Sequence, residues 1–128
     1  VNTVVIGIGS NILPEENIGK AVDEIKKKYS LIATSTFVIT KPIGGDNQPD
    51  FINGAVLIKT KSEKKELSKE LKLIEAKIGR IRGENKYAPR EIDLDIVIYN
   101  GRVEDDDIYS REFLKNSVEE LLPDFKLP

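Results

Sequence analysis

Asp93-Leu94-Asp95 sets two carboxylates two residues apart. The run 92–99 around them alternates in the β manner, and in a strand residues i and i+2 leave on the same face. Ile92, Leu94, Ile96 and Ile98 then take the core face, and the two Asp stand side by side on the other. Like charges that close resist double ionisation, and a bound divalent cation removes the conflict. The alternative is a solvated strand face that happens to carry two Asp. Upstream, Arg80, Arg82 and Arg90 put three guanidiniums within eleven residues. The Arg fork matches phosphate oxygens bidentately. A basic helix end answering the helix dipole accounts for Arg80 and Arg82, but not for Arg90. Carboxylates that take a metal beside arginines that grip phosphate are the parts phosphoryl transfer needs. Phe51 and Asn53 share one face of another strand. Such a pair suits a flat heterocycle, the ring stacking and the amide bonding its edge; a core Phe and a turn-adjacent Asn is the plainer reading.

The elements that must position these groups follow from pattern. Residues 3–9 are β-branched and apolar on both faces, which predicts a strand central in a sheet. Pro14 suits the first turn of a helix, with Glu15 and Glu16 near its positive end and Lys26 to Lys28 at the other. Ile18, Ala21, Val22 and Ile25 form its apolar face. Residues 31–39 read as a second strand, 40–50 as a loop of Gly, Pro and turn formers, and 51–60 as a third strand. Thr60 and Glu63 have capping-box spacing. The helix that follows runs to about 79 on the stripe Leu67, Leu71, Ile74, Ile78. Its charges, Glu66, Lys69 and Glu70, read as a solvated face. Residues 80–90 read as a basic loop, 92–99 as a fourth strand, Glu104 to Asp107 as a surface turn, and 112–121 as a short helix. The order β-α-β-β-α-β plus a tail predicts an α+β, ferredoxin-like fold: an antiparallel sheet with both helices on one face, in a single domain over residues 1–128.

Composition narrows the chemistry. The 128 residues hold no Cys and no His. That removes disulfides, thiolate nucleophiles and the Ser–His–Asp and Cys–His mechanisms, and makes a zinc site atypical. A metal here is a hard cation held by oxygen. With 20 Lys and Arg against 22 Asp and Glu, nothing draws the chain to nucleic acid or anionic membrane. Four Tyr, four Phe and no RNP1-like run also speak against a ferredoxin-like RNA-binding module. The apolar run Val4 to Gly9 is too short to span a bilayer, and no basic segment precedes it, so a cytoplasmic protein is expected. Gly7-Ile8-Gly9 fails as a dinucleotide fingerprint because position 12 is Ile, and no P-loop motif is present. Gly9-Ser10-Asn11 reads instead as a tight turn leaving the first strand.

Several segments together resemble the 6-hydroxymethyl-7,8-dihydropterin pyrophosphokinase family. They are Gly9-Ser10-Asn11, Thr40 to Gly44, Asp46 to Asn53, Glu75 to Arg82 (EAKIGRIR) and Pro89 to Asp95 (PREIDLD), with looser matches at Arg111-Glu112-Phe113 and Glu120 to Pro123. The resemblance spans nearly the whole chain in order. It implies transfer of pyrophosphate from ATP, the co-substrate, to the hydroxymethyl pterin. It also implies two Mg²⁺ held by Asp93 and Asp95, and phosphates gripped by Arg80 and Arg90. It places ATP against Glu75, Arg82, Tyr87, Ile96 and Arg111, and the pterin ring between Phe51 and Phe113. Asn53 and Asp93 face the ring's polar edge, with backbone around Thr40, Pro42 and Ile43. The partners expected are these two small molecules, with no nucleic acid, no membrane and a monomeric chain. Pyrophosphoryl transfer needs positioning and charge neutralisation more than a strong base, so a chain without His can perform it. The loops 40–50 and 80–90 are candidate lids. The chain departs from the family pattern in three places. Asp107 runs into Ile108-Tyr109-Ser110-Arg111 without the usual Pro-His segment, Tyr87 stands where Trp is frequent, and Lys72 replaces a polar amide. Activity is still expected, with weaker ATP affinity as one outcome of these departures and a non-catalytic pterin- or nucleotide-binding relative of the family as the alternative.

Overall fold

The computed structural model of the chain describes residues 1–42, 47–80 and 89–128. In chain order the elements are β1 (Asn2–Ser10), α1 (Pro14–Lys28), β2 (Ser30–Thr34), β3 (Val38–Thr40), β4 (Phe51–Thr60), α2 (Lys64–Ile78), β5 (Asp93–Tyr99), β6 (Arg102–Val103) and α3 (Glu112–Leu121), with a 3-10 turn at Asp106–Tyr109. The strands form one antiparallel sheet in the order β2-β4-β1-β5-β6, and β3 pairs with β4 beyond the end of β2. The α+β, ferredoxin-like expectation holds, and β1 is central as its two-sided apolar pattern requires.

Each face of the sheet has its own core. Val4, Ile6 and Ile8 of β1 pack with Val56 and Ile58 of β4 against α1 and α2. The helices supply the stripes read from the sequence: Ile18, Ala21, Val22 and Ile25 from α1, and Leu67, Leu71, Ile74 and Ile78 from α2. On the other face, Val5, Ala55 and Leu57 meet Leu114, Val118 and Leu121 of α3. Fully burying each such side chain contributes about 1.5–3 kcal/mol, so the ten-residue α3 is fixed by packing rather than by propensity.

Four details differ from expectation. The second strand breaks in two. At the break Ser35 continues the ladder with its own side chain: its N–H donates to the Ala55 carbonyl at 2.9 Å, and its hydroxyl accepts from Ala55 N–H at 2.8 Å. Glu120 of α3 accepts from Thr36 N–H and Oγ1 at 3.0 Å, pinning the helix over the gap. Second, β5 carries a bulge. Val5 pairs with Ile98 but Ile6 with Ile96, leaving Val97 as the extra residue. Ile98 therefore packs on the α3 face with Val97, not with Ile92, Leu94 and Ile96. Third, the capping box does not form. Glu63 is the N-cap without a side-chain bond, and Thr60 Oγ1 accepts from Ser62 N–H instead. Fourth, Glu70 is not merely solvated; it accepts from the Tyr29 hydroxyl at 2.6 Å and from the Ser62 hydroxyl at 3.1 Å.

Candidate active site

The cleft opens on the α3 face of the sheet, where β3, β4, β1 and β5 run side by side. Gly9 of β1 pairs with Asn53 on one flank and Asp93 on the other, and Gly7 pairs with Asp95. The two glycines make a flat floor between the polar side chains. A Cβ at Gly9 would collide with Asn53 Oδ1, so the glycine is what lets that amide lie across the sheet. Asn53 Nδ2 donates to Thr40 Oγ1 at 2.6 Å, which fixes its orientation from β3. Phe51 shares its face of β4, and Phe113 enters from the first turn of α3.

The charged half is built around Asp93. Arg80 Nη1 donates to Asp93 Oδ1 and Arg90 Nη1 to Oδ2, both at 2.8 Å. Arg80 is nearly buried and also donates to Glu75 Oε2 at 3.0 Å. That oxygen accepts the Leu94 N–H at 2.7 Å, so a buried carboxylate of α2 pins the backbone of β5 between the two Asp. Asp95 opens to the cleft, yet protein walls surround it closely enough to push its carboxyl up to about 7. Desolvation is the largest cause, followed by the negative charges of Asp93, Asp105 and Glu75.

The sequence places Asp105 in a surface turn, but in the structure it lines the cleft beside the Asp pair. The turn Asn100-Gly101 brings it there. Both residues take positive φ, 50° and 81°, folding β6 back on β5, and Glu104 N–H then bonds the Val97 carbonyl at 2.8 Å. An Asn-Gly pair after an alternating strand is a strong hairpin signal, and it was present in the sequence. Burial raises the Asp105 carboxyl as well.

The cleft measures about 1160 Å³, above the usual range for one small ligand. It brings together Thr40, Phe51, Asn53, Arg80, Arg90, Asp93, Asp95, Ile96, Arg111 and Phe113. Pro42 and Glu75 do not line it; Ile43, Arg82 and Tyr87 lie outside the described residues, as does most of the proposed lid at 80–90 and part of that at 40–50. One face of α2, with Lys64, Lys65, Ser68 and Lys72, forms a basic wall, and Lys64 bridges to Glu104 at 2.9 Å. Asn11 is more than a turn residue. Buried just past β1, it bonds both to Arg90 and to the segment at 48–49.

Among the described residues, no group of three or more acidic side chains converges on a point able to hold a metal. A hard cation at Asp93 and Asp95 would complete its shell with phosphate oxygens and water, as Mg²⁺ commonly does. The donor set fits such an ion: the Asp95 proton is held by desolvation and by the negative charges of Asp93, Asp105 and Glu75, and a cation would offset both.

A family model described as 7,8-dihydro-6-hydroxymethylpterin-pyrophosphokinase (HPPK) matches residues 5–123. The chain is 32% identical to a 2-amino-4-hydroxy-6-hydroxymethyldihydropteridine pyrophosphokinase of Haemophilus influenzae, over 98% of this chain and 85% of that protein. It is 30% identical to the protein of the same description from Pseudomonas aeruginosa, over 100% and 85%. An Aquifex aeolicus relative is 34% identical over 79% of this chain and 63% of that protein. With these matches and a two-part cleft of arginines and carboxylates at one end and aromatics with an amide at the other, the chain belongs to the 6-hydroxymethyl-7,8-dihydropterin pyrophosphokinase family.

Proposed function

We propose that the cleft moves the β,γ-pyrophosphoryl group of ATP onto the hydroxymethyl oxygen of 6-hydroxymethyl-7,8-dihydropterin, in folate biosynthesis. The observation that carries this reading is one sheet floor shared by Asn53, Gly9 and Asp93, joining an aromatic, amide-lined half to an Arg- and Asp-lined half. The pterin stacks between Phe51 and Phe113, and its polar edge meets Asn53, held by Thr40. ATP lies toward Ile96 and Arg111, with Glu75 behind Arg80; Arg82 and Tyr87 are assigned to ATP by the family resemblance alone. Mg²⁺, two ions at Asp93 and Asp95, would neutralise the triphosphate and lower the pKa of the attacking hydroxyl.

The chain's own contribution is positioning. Arg90, a quarter exposed and bonded to one oxygen of Asp93, turns from that carboxylate to the phosphates when they arrive. Arg80, anchored by Glu75, stays behind Asp93 and holds positive charge against the transferring group. The hydroxymethyl oxygen bonds the β-phosphorus, the bond from that phosphorus to the α,β-bridging oxygen breaks, AMP leaves, and the hydroxyl proton is released. The same reading makes the chain a single-domain monomer of the cytoplasm; no described helix is long and apolar enough to cross a membrane. Incubation with Mg²⁺, ATP and the hydroxymethyl pterin, with AMP and pterin diphosphate followed by chromatography, tests the proposal. Product that vanishes in Asp95→Ala is expected; no AMP above a protein-free control overturns it.

A further inference from the structure

Asn11 lies where β1 ends between its two neighbours, and it is buried to 1% exposure. Toward β5, its N–H donates to the Arg90 carbonyl at 3.1 Å, and its Oδ1 accepts the Arg90 N–H at 2.8 Å. Toward β4, its Nδ2 donates to Gln48 Oε1 at 2.6 Å and to the Pro49 carbonyl at 3.1 Å. The orientation of the amide is thereby fixed: one end faces a backbone donor and the other a backbone carbonyl. Each clasped segment runs straight into one half of the cleft. Residues 48–50 lead into Phe51 and Asn53, and residues 90–92 lead into Asp93 and Asp95.

We infer that Asn11 is a positioning residue that couples the two substrate halves, so that ordering the segment before β5 around a nucleotide also orders the segment before β4 for the pterin, and the reverse. One side chain closes both segments onto the same point, and neither can shift its backbone without breaking a bond to the other's holder. Coupling of this kind is reciprocal, and sites linked in this way commonly change each other's affinity by about 5- to 150-fold. The inference rests on the assignment of the two halves above, and it concerns binding rather than turnover.

The test measures pterin affinity by calorimetry with and without Mg²⁺ and a non-hydrolysable ATP analogue, in the native chain, Asn11→Ala and Gln48→Ala. In the native chain the analogue tightens pterin binding by about tenfold or more. In Asn11→Ala that factor falls toward one, while each ligand alone binds within about threefold of native. A role confined to folding would weaken both ligands alone and leave the ratio intact. Gln48→Ala removes one of the two acceptors of Asn11 Nδ2 and leaves its bond to the Pro49 carbonyl in place. It loses part of the factor and serves if Asn11→Ala does not fold. A native factor of one, or a full factor in both variants, overturns the inference. AMP formation by the native chain is measured separately, so a failed coupling with intact turnover leaves the enzymatic reading standing, and absent turnover removes that reading whatever the coupling.

Discussion

Asp95 and Arg80 show how differently two ionisable side chains lining the same cleft are treated. The Asp95 carboxyl, at 3.8 in its ordinary state, is pushed up to about 7. Between those values the folded chain keeps a proton that the unfolded chain has shed, so its contribution to stability is fullest below the window and is lost as pH rises through it. In chelator, the native chain is expected to lose more stability between about pH 5 and about pH 8 than Asp95→Asn. Mg²⁺ should raise the melting temperature more at the higher pH, where no proton competes. Calorimetry at the two pH values reads both, and equal slopes in native and variant would refute the assignment. Arg80 is locked between the buried Glu75 and Asp93. Arg80→Ala should cost about 3–5 kcal/mol in urea unfolding, because it strands a buried carboxylate. Arg90→Ala, more exposed, should cost about 1 kcal/mol or less, although both abolish turnover. Neighbouring sequence exposed the Asp pair and the arginines, since strand parity and spacing suffice to see them. It did not expose which arginine is interred, because that depends on Glu75, fifteen residues from Arg90 and eighteen from Asp93 in the chain.

The strands and helices were legible wherever one period ran unbroken. β4 and α3 match their expected bounds, and both long helices bury the expected stripes. What escaped was local exchange of side chain for backbone: Ser35 standing in for a strand residue, and an extra residue in β5. Apolar pattern alone cannot register either. The glycines of the sheet separate two kinds of consequence. A Cβ at Gly9 meets the tip of Asn53, a side chain able to swing away. Gly9→Ala should leave urea stability within about 1 kcal/mol and raise the pterin KM roughly five- to tenfold, the worth of one displaced hydrogen bond. A Cβ at Gly54 meets the Phe37 ring at 2.5 Å, with the ring itself packed on the core. Gly54→Ala should therefore cost about 1–3 kcal/mol of stability, with KM for the surviving folded protein near native. Steady-state kinetics beside urea titrations separate the two, and a stability loss in Gly9→Ala larger than in Gly54→Ala would contradict the contacts described.

At the scale of the whole molecule, the sheet is a partition. One side is packed by α1 and α2; the other is shared by α3 and the cleft, which also takes one face of α2 as a wall. Phe113 and Leu114 are adjacent in α3 and both line the cleft; Leu114 is also buried in the core, and Phe113 packs against that core. Leu114→Ala should cost about 2–5 kcal/mol and weaken pterin binding as Phe113 loses its footing. A titration of pterin fluorescence that finds native affinity in the folded variant would separate the two roles. The βαββαβ order made the two-helix face foreseeable, whereas the use of the opposite face had to await the location of α3. The extra residue at Val97 bears on how the family can vary in length. Deleting Ile98 would straighten the strand while Asp93, Asp95 and Tyr99 all keep their present sides, whereas deleting Leu94 would put the two carboxylates on opposite faces and send Asp93 into the aliphatic layer. Among homologues, gaps in this strand should fall at the irregular position and spare the stretch before it.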